Sequence, residues 1–417
     1  MNAAEPSAAP TPQQLKKPSP LRRMTGRDVH EEHRAATPLE LLMDLSFVVA
    51  FGIAGEQFAH MIAEDHITVG MGGFAFVMFG IVWAWINFTW FASAFDTDDW
   101  AYRLTTMVQM IGVVIFSLGI PDVFHSLDEG KHLDNRVIIA GYIVMRVAMI
   151  FQWLRVARSD PTYRPTALTY VATIGIAQLG WMVLLWLDLA LMPTLAVAAV
   201  LMLVEMAGPF IAETRQKPTP WHPHHVAERY GLLTIIALGE GVIGTVAAVS
   251  SAVAETGWSF EAIAVVVAGI GLTFGLWWIY FSTDFGAMLH ENRGASFVFG
   301  YGHLLLFPAI AAVGAGLHVA AYVLEDKAHI STHTAVASVA APVGVFLMAG
   351  VLLIWLLTRR VDGTHAGTAT AAVLVCVASV LLARAGATMG TALLLATLAP
   401  WVVVLGIELT GRRPAAA

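Results

Sequence analysis

Two acidic residues, Glu40 and Asp44, lie one helical turn apart at the start of a long apolar stretch. Side chains four residues apart on a helix point along the same face, so these two carboxyl groups would lie close together. Neighbouring carboxylates repel each other when both are ionised, which favours their sharing one proton. Such a pair could carry a proton for a membrane process, or nearby arginine side chains could simply neutralise it.

Three more acidic residues accompany apolar stretches: Glu56, Glu228 and Glu240. Glu56 precedes His60 by one turn, and an imidazole beside a carboxylate can relay a proton, although a solvated pair near the membrane surface fits the spacing as well. Glu240 would lie about 12 residues, or roughly 18 Å, into its helix, nearest to the membrane midplane. Charge inside a membrane is costly and usually functional. We therefore predict proton or ion coupling at five residues: Glu40, Asp44, Glu56, Glu228 and Glu240.

An acidic run, Phe95-Asp96-Thr97-Asp98-Asp99, follows the second apolar stretch and precedes Arg103. These carboxylates could pair with arginines, gate a pathway or bind a divalent cation such as Mg²⁺, or they could belong to an ordinary surface loop. Within the membrane, Arg146 needs an acidic or carbonyl partner, for which Glu205 and Glu240 are both candidates. The predicted substrate pathway comprises Asn87, Asp96, Asp98, Asp99, Arg103, Gln109, Arg146, Arg229, Asp284 and His303.

The elements that position these side chains are apolar helices. Of the 417 residues, 57% are hydrophobic and only 13% are charged, about half the usual charged fraction of a soluble protein. A membrane-spanning helix needs about 20 mostly apolar residues, and the continuous apolar runs show no strand alternation. We predict twelve spans, at 40–62, 70–94, 103–122, 136–157, 166–187, 191–212, 226–250, 261–283, 296–320, 333–357, 368–386 and 388–409.

Two stretches near the start of each half resemble each other. Glu40 and Glu228 both head apolar segments, and Trp85-Ile86-Asn87-Phe88-Thr89 resembles Trp278-Ile279-Tyr280-Phe281-Ser282 at nearly the same separation. We therefore predict an all-α polytopic integral membrane protein with about 12 transmembrane helices in two parallel six-helix pseudo-repeats. The predicted division is a disordered cytosolic leader (1–38), a first repeat (39–212), a linker (213–225), a second repeat (226–410) and a tail (411–417).

The distribution of basic residues predicts the orientation. With the N-terminus in the cytosol, most of the 23 lysine and arginine residues fall on the cytosolic side. Arg146 lies within a span, and four basic residues fall outside: Lys131, Arg136, Lys327 and Arg384. This satisfies the positive-inside rule and favours an even number of spans, with both termini in the cytosol.

Several classes of site have no matching pattern. The single cysteine, Cys376, excludes an internal disulfide framework. The tract His222-Pro-His224-His225 resembles a metal site but has no cysteine beside it, and an interaction of His224 with Glu228 is the simpler interpretation. The sequence contains no phosphate-binding loop and no basic block typical of nucleic-acid binding. We therefore expect no metal, no cofactor and no nucleic-acid partner.

Three ordered blocks carry a family resemblance. They are LELLMDLSFV at 39–48, WAWINFTW at 83–90 with FDTDDWAYR at 95–103, and HVAERYG at 225–231 with LGE at 238–240. Together they resemble the corresponding motifs of the bacterial low temperature requirement protein A family. Ser46 stands where that family often has an apolar residue. The resemblance implies a bacterial multi-pass membrane protein, but it brings no substrate or catalytic residue.

The leading functional hypothesis is a secondary, proton- or ion-coupled transporter in the bacterial inner membrane, because acids lie near glycine-interrupted helices in both halves. The alternative is a membrane-embedded enzyme that holds a lipid or isoprenoid diphosphate through Mg²⁺ at the acidic run. A channel and a sensor remain further alternatives. The expected partners are the lipid bilayer, a small solute or ion and, as an open possibility, further copies of the chain.

Overall fold

The computed structural model describes residues 21–28, 31, 34–360 and 363–410. In these residues twelve helical segments are long and apolar enough to cross a membrane, and there is no strand, which confirms an all-α polytopic membrane protein. The helices are α1 (Pro38–Ala63), α2 (Ile67–Phe95), α3 (Trp100–Leu118), α4 (Ile120–Glu129), α5 (Arg136–Ser159), α6 (Arg164–Leu187), α7 (Leu191–Arg215), α8 (Pro223–Thr256), α9 (Phe260–Phe281), α10 (Phe285–Glu291), α11 (Ser296–Leu324), α12 (Thr332–Thr358), α13 (Gly363–Arg384) and α14 (Met389–Thr410).

The third span differs from its predicted end because it continues through a break. The α3 helix ends at Gly119, whose amide N–H bonds to Phe116 O instead of the carbonyl one residue earlier. Pro121 then has no N–H with which to continue the helical pattern. Gly119 also lets α5 approach, since a Cβ there would lie 2.7 Å from the amide nitrogen of Ile138. The span therefore reaches Glu129, seven residues beyond the predicted window.

The described part of the leader lies on the helices. Met24 is fully buried, and the Gly26 amide donates to the Asp160 carboxylate at 3.0 Å. Arg27 donates its amide to the carbonyl of Ala94, at the end of α2. The disorder expected for the whole of 1–38 therefore does not hold for 21–28. Residues 1–20, like the tail 411–417, lie outside the described residues. We call the end of the bundle contacted by 21–28 the leader end.

The centre of the bundle consists of α1, α8 and α11. The α11 helix is the most completely buried span, and it packs on α1, α8 and α12. The crossing of α8 and α11 depends on two glycines. A Cβ on Gly244 would lie 2.6 Å from Gly314 O, and a Cβ on Gly314 would lie 2.7 Å from Cβ of Glu240. Such close approach is typical of small residues between membrane helices, and here it fixes the position of Glu240.

Each half repeats part of the same neighbour order. The α1 helix packs on α2 as α8 packs on α9, and the last three spans of each half pack in sequence. The contacts between halves run mainly from α1 and α2 to α8 and α11. The α6 and α7 helices are among the most exposed spans, with one third or less of their apolar windows buried. The division into two repeats stays a prediction.

Candidate functional site

The two acids at the start of α1 lie around one arginine of α8. Glu40 and Asp44 are buried, and so is Arg229. Nη1 of Arg229 lies 3.1 Å from Oε1 of Glu40, and its Nη2 donates to Oδ1 of Asp44. The indole N–H of Trp85 also donates to Asp44 Oδ1, at 2.7 Å. The arrangement thus fits the second alternative for the acidic pair, neutralisation by arginine, because both carboxylates face the same guanidinium group.

Two further basic side chains complete this group, which we call the charged cluster: Arg34, Glu40, Asp44, His225 and Arg229. Nε2 of His225 lies 3.2 Å from Glu40 Oε1, and Nη2 of Arg34 lies 3.8 Å from the same oxygen. Two carboxylates therefore balance two guanidinium groups around an imidazole. The cluster joins the leader, α1 and α8 at the leader end.

Local structure explains how two of these residues are held. Thr37 caps α1, because its hydroxyl accepts from the Glu40 amide while the Glu40 carboxylate accepts from the Thr37 amide at 2.7 Å. Arg34 donates to the carbonyls of Ala92 and Ser93, where the C-terminal end of α2 favours a cation. Burial lowers the pKa of the Arg34 guanidinium, although the charge of Glu40 opposes this shift.

The sequence carries a signal for some of these contacts, and the predictions missed it. The spacing Thr37-x-x-Glu40 is typical of a capping box. Arg34 enters the predictions only as a basic residue of the leader. His225 enters as part of the histidine tract and of a family motif, and Trp85 as part of the repeat and of a family motif, and none of the three is predicted to contact the acidic pair. No signal in a single sequence pairs Glu40 with Arg229.

The acidic run does not form one site, because its carboxylates have different partners. Asp98 forms a two-bond ion pair with Arg103, with both distances 2.8 Å. Asp99 caps α3 and pairs with Arg155 of α5 at 2.6 Å. Burial alone would raise the pKa of Asp99, but hydrogen bonds from the Tyr102 amide, Arg155 and the Arg22 amide hold it below its usual value. In the described chain, no group of three or more His, Cys, Asp or Glu side chains could hold a metal ion.

Asp96 is expected to make stability depend on pH. Burial, with a further contribution from the charge of Glu40, raises the pKa of Asp96 from 3.8 to about 6. The folded protein therefore binds this proton more tightly than the unfolded chain, and the free energy of unfolding should fall by up to about 2 kcal/mol as the pH rises from about 4 to about 6.

The measurement is the melting temperature of detergent-solubilised wild type and Asp96→Asn across this pH range. The difference, variant minus wild type, should increase with pH, whereas Asp98→Asn, which removes the partner of an exposed arginine, should show no such trend. Parallel pH profiles for wild type and Asp96→Asn would contradict the assignment.

Arg146 has Glu205 as its partner. Its Nη2 lies 3.4 Å from Oε2 of Glu205 and donates to the hydroxyl of Tyr142. Glu205 also accepts from Gln178 at 2.8 Å and from the indole of Trp83 at 3.1 Å. This buried network joins α2, α5, α6 and α7, so it holds the exposed helices α6 and α7 to the rest of the bundle. Of the two candidate partners, Glu240 has no part in it.

Two residues predicted as site members line one open pocket at the leader end, and a third, His303, contacts one of its lining residues. It measures about 310 Å³ between α8, α9 and α10, and Glu228 and Asp284 line it together with His224 and Tyr280. The hydroxyl of Tyr280 lies 2.9 Å from Nε2 of the fully buried His303. Since Nδ1 of His303 lies 2.8 Å from Phe299 O, it donates there, and Nε2 then accepts from Tyr280.

Glu240 differs from every other acid in the interior. It is 4% exposed, and within the described chain it has no hydrogen bond and no ion pair. Its carboxylate faces the glycines of α1, since a Cβ on Gly52 would lie 3.4 Å from Oε1, and one on Gly55 would lie 4.0 Å from Oε2. A buried carboxyl group with no partner is costly as an anion, so it favours a bound proton or cation.

The remaining predicted site residues lie apart from these groups. Asn87 donates its amide to Trp83 O at 2.8 Å and lines a small aromatic cavity between α2 and α11. Gln109 is buried on α3. Glu56 is exposed, four residues beyond Gly52 on α1.

The family model for the bacterial low temperature requirement A protein (LtrA) matches residues 35–400. The chain belongs to the LtrA family. This LtrA chain is therefore a multi-pass membrane protein of a bacterial family, and the charged cluster, the acidic run and Glu240 all lie within the matched region, apart from Arg34 just before it.

One curated relative is an uncharacterized protein from Rhizobium meliloti (strain 1021). It is 25% identical over 314 residues, which cover 69% of this LtrA chain and 69% of the relative. No solved structure matches. The comparisons thus give the family, and any functional assignment depends on the geometry.

Proposed function

We propose that this protein is a secondary, ion-coupled transporter in which Glu240 takes up and releases the coupling proton. The observation that carries the proposal is the isolation of the Glu240 carboxyl group, which lies buried against the glycine face of α1 with no partner among the described residues. The other acids in the membrane core have a different setting: Glu40, Asp44 and Glu205 are paired with arginine, and Glu56 is exposed.

The physical argument is the cost of charge in a low-dielectric interior. An ionised carboxylate in this position would lose its hydration and gain no hydrogen bond in return. Protonation removes that charge, so proton binding at Glu240 and the local arrangement of α1, α8 and α11 are coupled. A transporter needs such coupling, because an ion can drive a conformational change only by binding the two states differently.

The charged cluster supports a closed leader end. It ties α1 to α8 through Arg229 and adds Arg34 from the leader, so four charges and an imidazole fill the space between these helices. Alternating access would require the residues of this cluster on α1 and α8 to move apart when Glu240 binds or releases its proton. In this proposal the cytosolic termini, the two six-helix repeats and rocking between them follow the sequence predictions.

The enzyme hypothesis has no comparable support. Mg²⁺ bound by the acidic run would need convergent carboxylates, but Asp98 pairs with Arg103 and Asp99 with Arg155. We therefore propose no reaction at that loop. In this proposal the transported solute is a small molecule or ion.

The proposal can be tested with dicyclohexylcarbodiimide, an apolar reagent that reacts with protonated carboxyl groups. Glu240 should be labelled in membranes, as peptide mass spectrometry would show. Glu205 is the internal control, because it is equally buried but engaged by Arg146, Gln178 and Trp83, and it should stay unlabelled. An unlabelled Glu240, or equal labelling of Glu240 and Glu205, would contradict the assignment.

A further inference from the structure

We propose that a polar groove between α1 and α11 connects Glu240 to the end of the bundle opposite the leader end and carries protons along Glu56, His60, His318 and Tyr322. This inference rests on the proposed role of Glu240 and adds the route and the side from which it is reached. Two rows of side chains, one on each helix, carry the argument.

The row on α1 follows a helical step of four residues. Gly52 faces the Glu240 carboxylate, Glu56 and His60 come one and two turns later, and Glu64 caps the helix. Residues spaced by four lie on nearly the same face. From Glu240 outward, this face therefore presents the glycine, then a carboxyl group, an imidazole and a second carboxyl group.

The row on α11 has the same step and direction. Gly314 packs on Cβ of Glu240, and His318 and Tyr322 follow at intervals of four. His318 lies beside α8, where a Cβ on Gly244 would be 2.9 Å from its Cδ2. Gly244 and Gly314 thus bring α8, which carries Glu240, against the row on α11.

The two rows meet along their length. Glu56 is close enough to His318 and Tyr322 to interact electrostatically with both. The rings of His60 and Tyr322 lie edge to face, 6.4 Å apart. At the outer end, Nδ1 of His329, in the loop after α11, lies 2.9 Å from Oε2 of Glu64. A chain of titratable groups therefore runs from the membrane interior to that end.

The exposure of these side chains indicates that water reaches the series of titratable groups. Glu56 and His60 are exposed and His318 is half-buried, although all three lie where α1 and α11 pack together. An exposed carboxylate facing lipid would be costly, so an aqueous groove is the better explanation. At the leader end of α1, the charged cluster is buried. The proposed groove thus leads from the buried Glu240 toward one side of the membrane only.

The experiment measures which side a thiol at each position faces. The only native cysteine, Cys376, is buried and would be replaced by alanine. In that background, Glu56→Cys and His318→Cys would be tested with a membrane-impermeant thiol reagent added to either side of sealed vesicles.

Reference variants identify the two sides. Glu129→Cys marks the end opposite the leader end, where the neighbouring Asp128 pairs with His66 of the α1–α2 loop, and Arg158→Cys marks the leader end. Ala50→Cys, fully buried on α1, is the unreactive control.

Glu56→Cys and His318→Cys should react only from the side at which Glu129→Cys reacts. Reaction from the Arg158→Cys side, or from neither side, would overturn the inference. Since labelling does not require transport, the two proposals fail separately. If the thiols are labelled from the expected side but proton flux does not depend on Glu240, the groove is supported and the proposed function is wrong. If the thiols do not react but proton flux depends on Glu240, the proposed function is supported and the groove is wrong.

Discussion

Replacing Arg229 with methionine is expected to destabilise the protein by about 3–5 kcal/mol, because two buried carboxylates would lose their shared cation. Glu40 and Asp44 are both at most 1% exposed, and Arg229 contacts each of them. Methionine keeps the length and apolar stem of the side chain, so the loss is mainly electrostatic. The melting temperature of the solubilised protein would measure it.

A matched control uses an exposed arginine with equally good geometry. Arg103 forms two hydrogen bonds with Asp98, but both side chains are solvent-accessible. Arg103→Met should therefore change stability by less than about 1 kcal/mol. Comparable losses from Arg229→Met and Arg103→Met would show that the charged cluster is not a buried site.

Removing the acids as well should restore most of the loss caused by Arg229→Met. In the triple variant Arg229→Met, Glu40→Gln and Asp44→Asn, no uncompensated carboxylate remains in the interior. Arg34 loses Glu40 as its counter-charge but keeps its hydrogen bonds to the carbonyls of Ala92 and Ser93, so the rescue is expected to be incomplete. The amides can still accept hydrogen bonds from Thr37 and Trp85, which bind these carboxylates in the wild type. A triple variant as unstable as Arg229→Met alone would mean that shape, not charge, holds α1 to α8.

The spans could be predicted because the bilayer imposes one requirement on all of them. Each needs about 20 apolar residues in a helix, and every one of the twelve predicted windows overlaps a membrane-spanning segment. The predicted boundaries did not include helix breaks and caps within a span. Gly119 and Pro121 break the third span without ending it. The short helix α10 follows α9, and Asp284 is the N-cap of α10.

The candidate site could be predicted only as a set of residue types. Acids in the membrane were recognisable as unusual, but their partners lie far away in sequence. Arg229 is 185 residues from Asp44, and Arg34 comes from a segment expected to be disordered. The choice of Glu205 over Glu240 for Arg146 depends on how α5 and α7 pack. Burial without a partner, the property that distinguishes Glu240, cannot be read from one sequence.

Replacing Glu240 with glutamine is expected to abolish proton coupling without unfolding the protein. Glutamine has nearly the same shape but no titratable proton, so a proton-transfer step through this position should slow by about a hundredfold or more. Its amide costs less to bury than an unpaired carboxylate, so the melting temperature should stay equal or rise. A lower melting temperature would contradict the view that Glu240 is held without a partner.

The most direct measurement is proton uptake into proteoliposomes under an imposed pH gradient, with wild type, Glu240→Gln and Glu228→Gln compared. Glu228 is the matched control, because it lies on the same helix but is exposed in the pocket at the leader end. We predict uptake by wild type and Glu228→Gln above that of empty liposomes, and its loss in Glu240→Gln. Equal uptake by wild type and Glu240→Gln, at any level, would contradict the central claim that Glu240 carries the coupling proton.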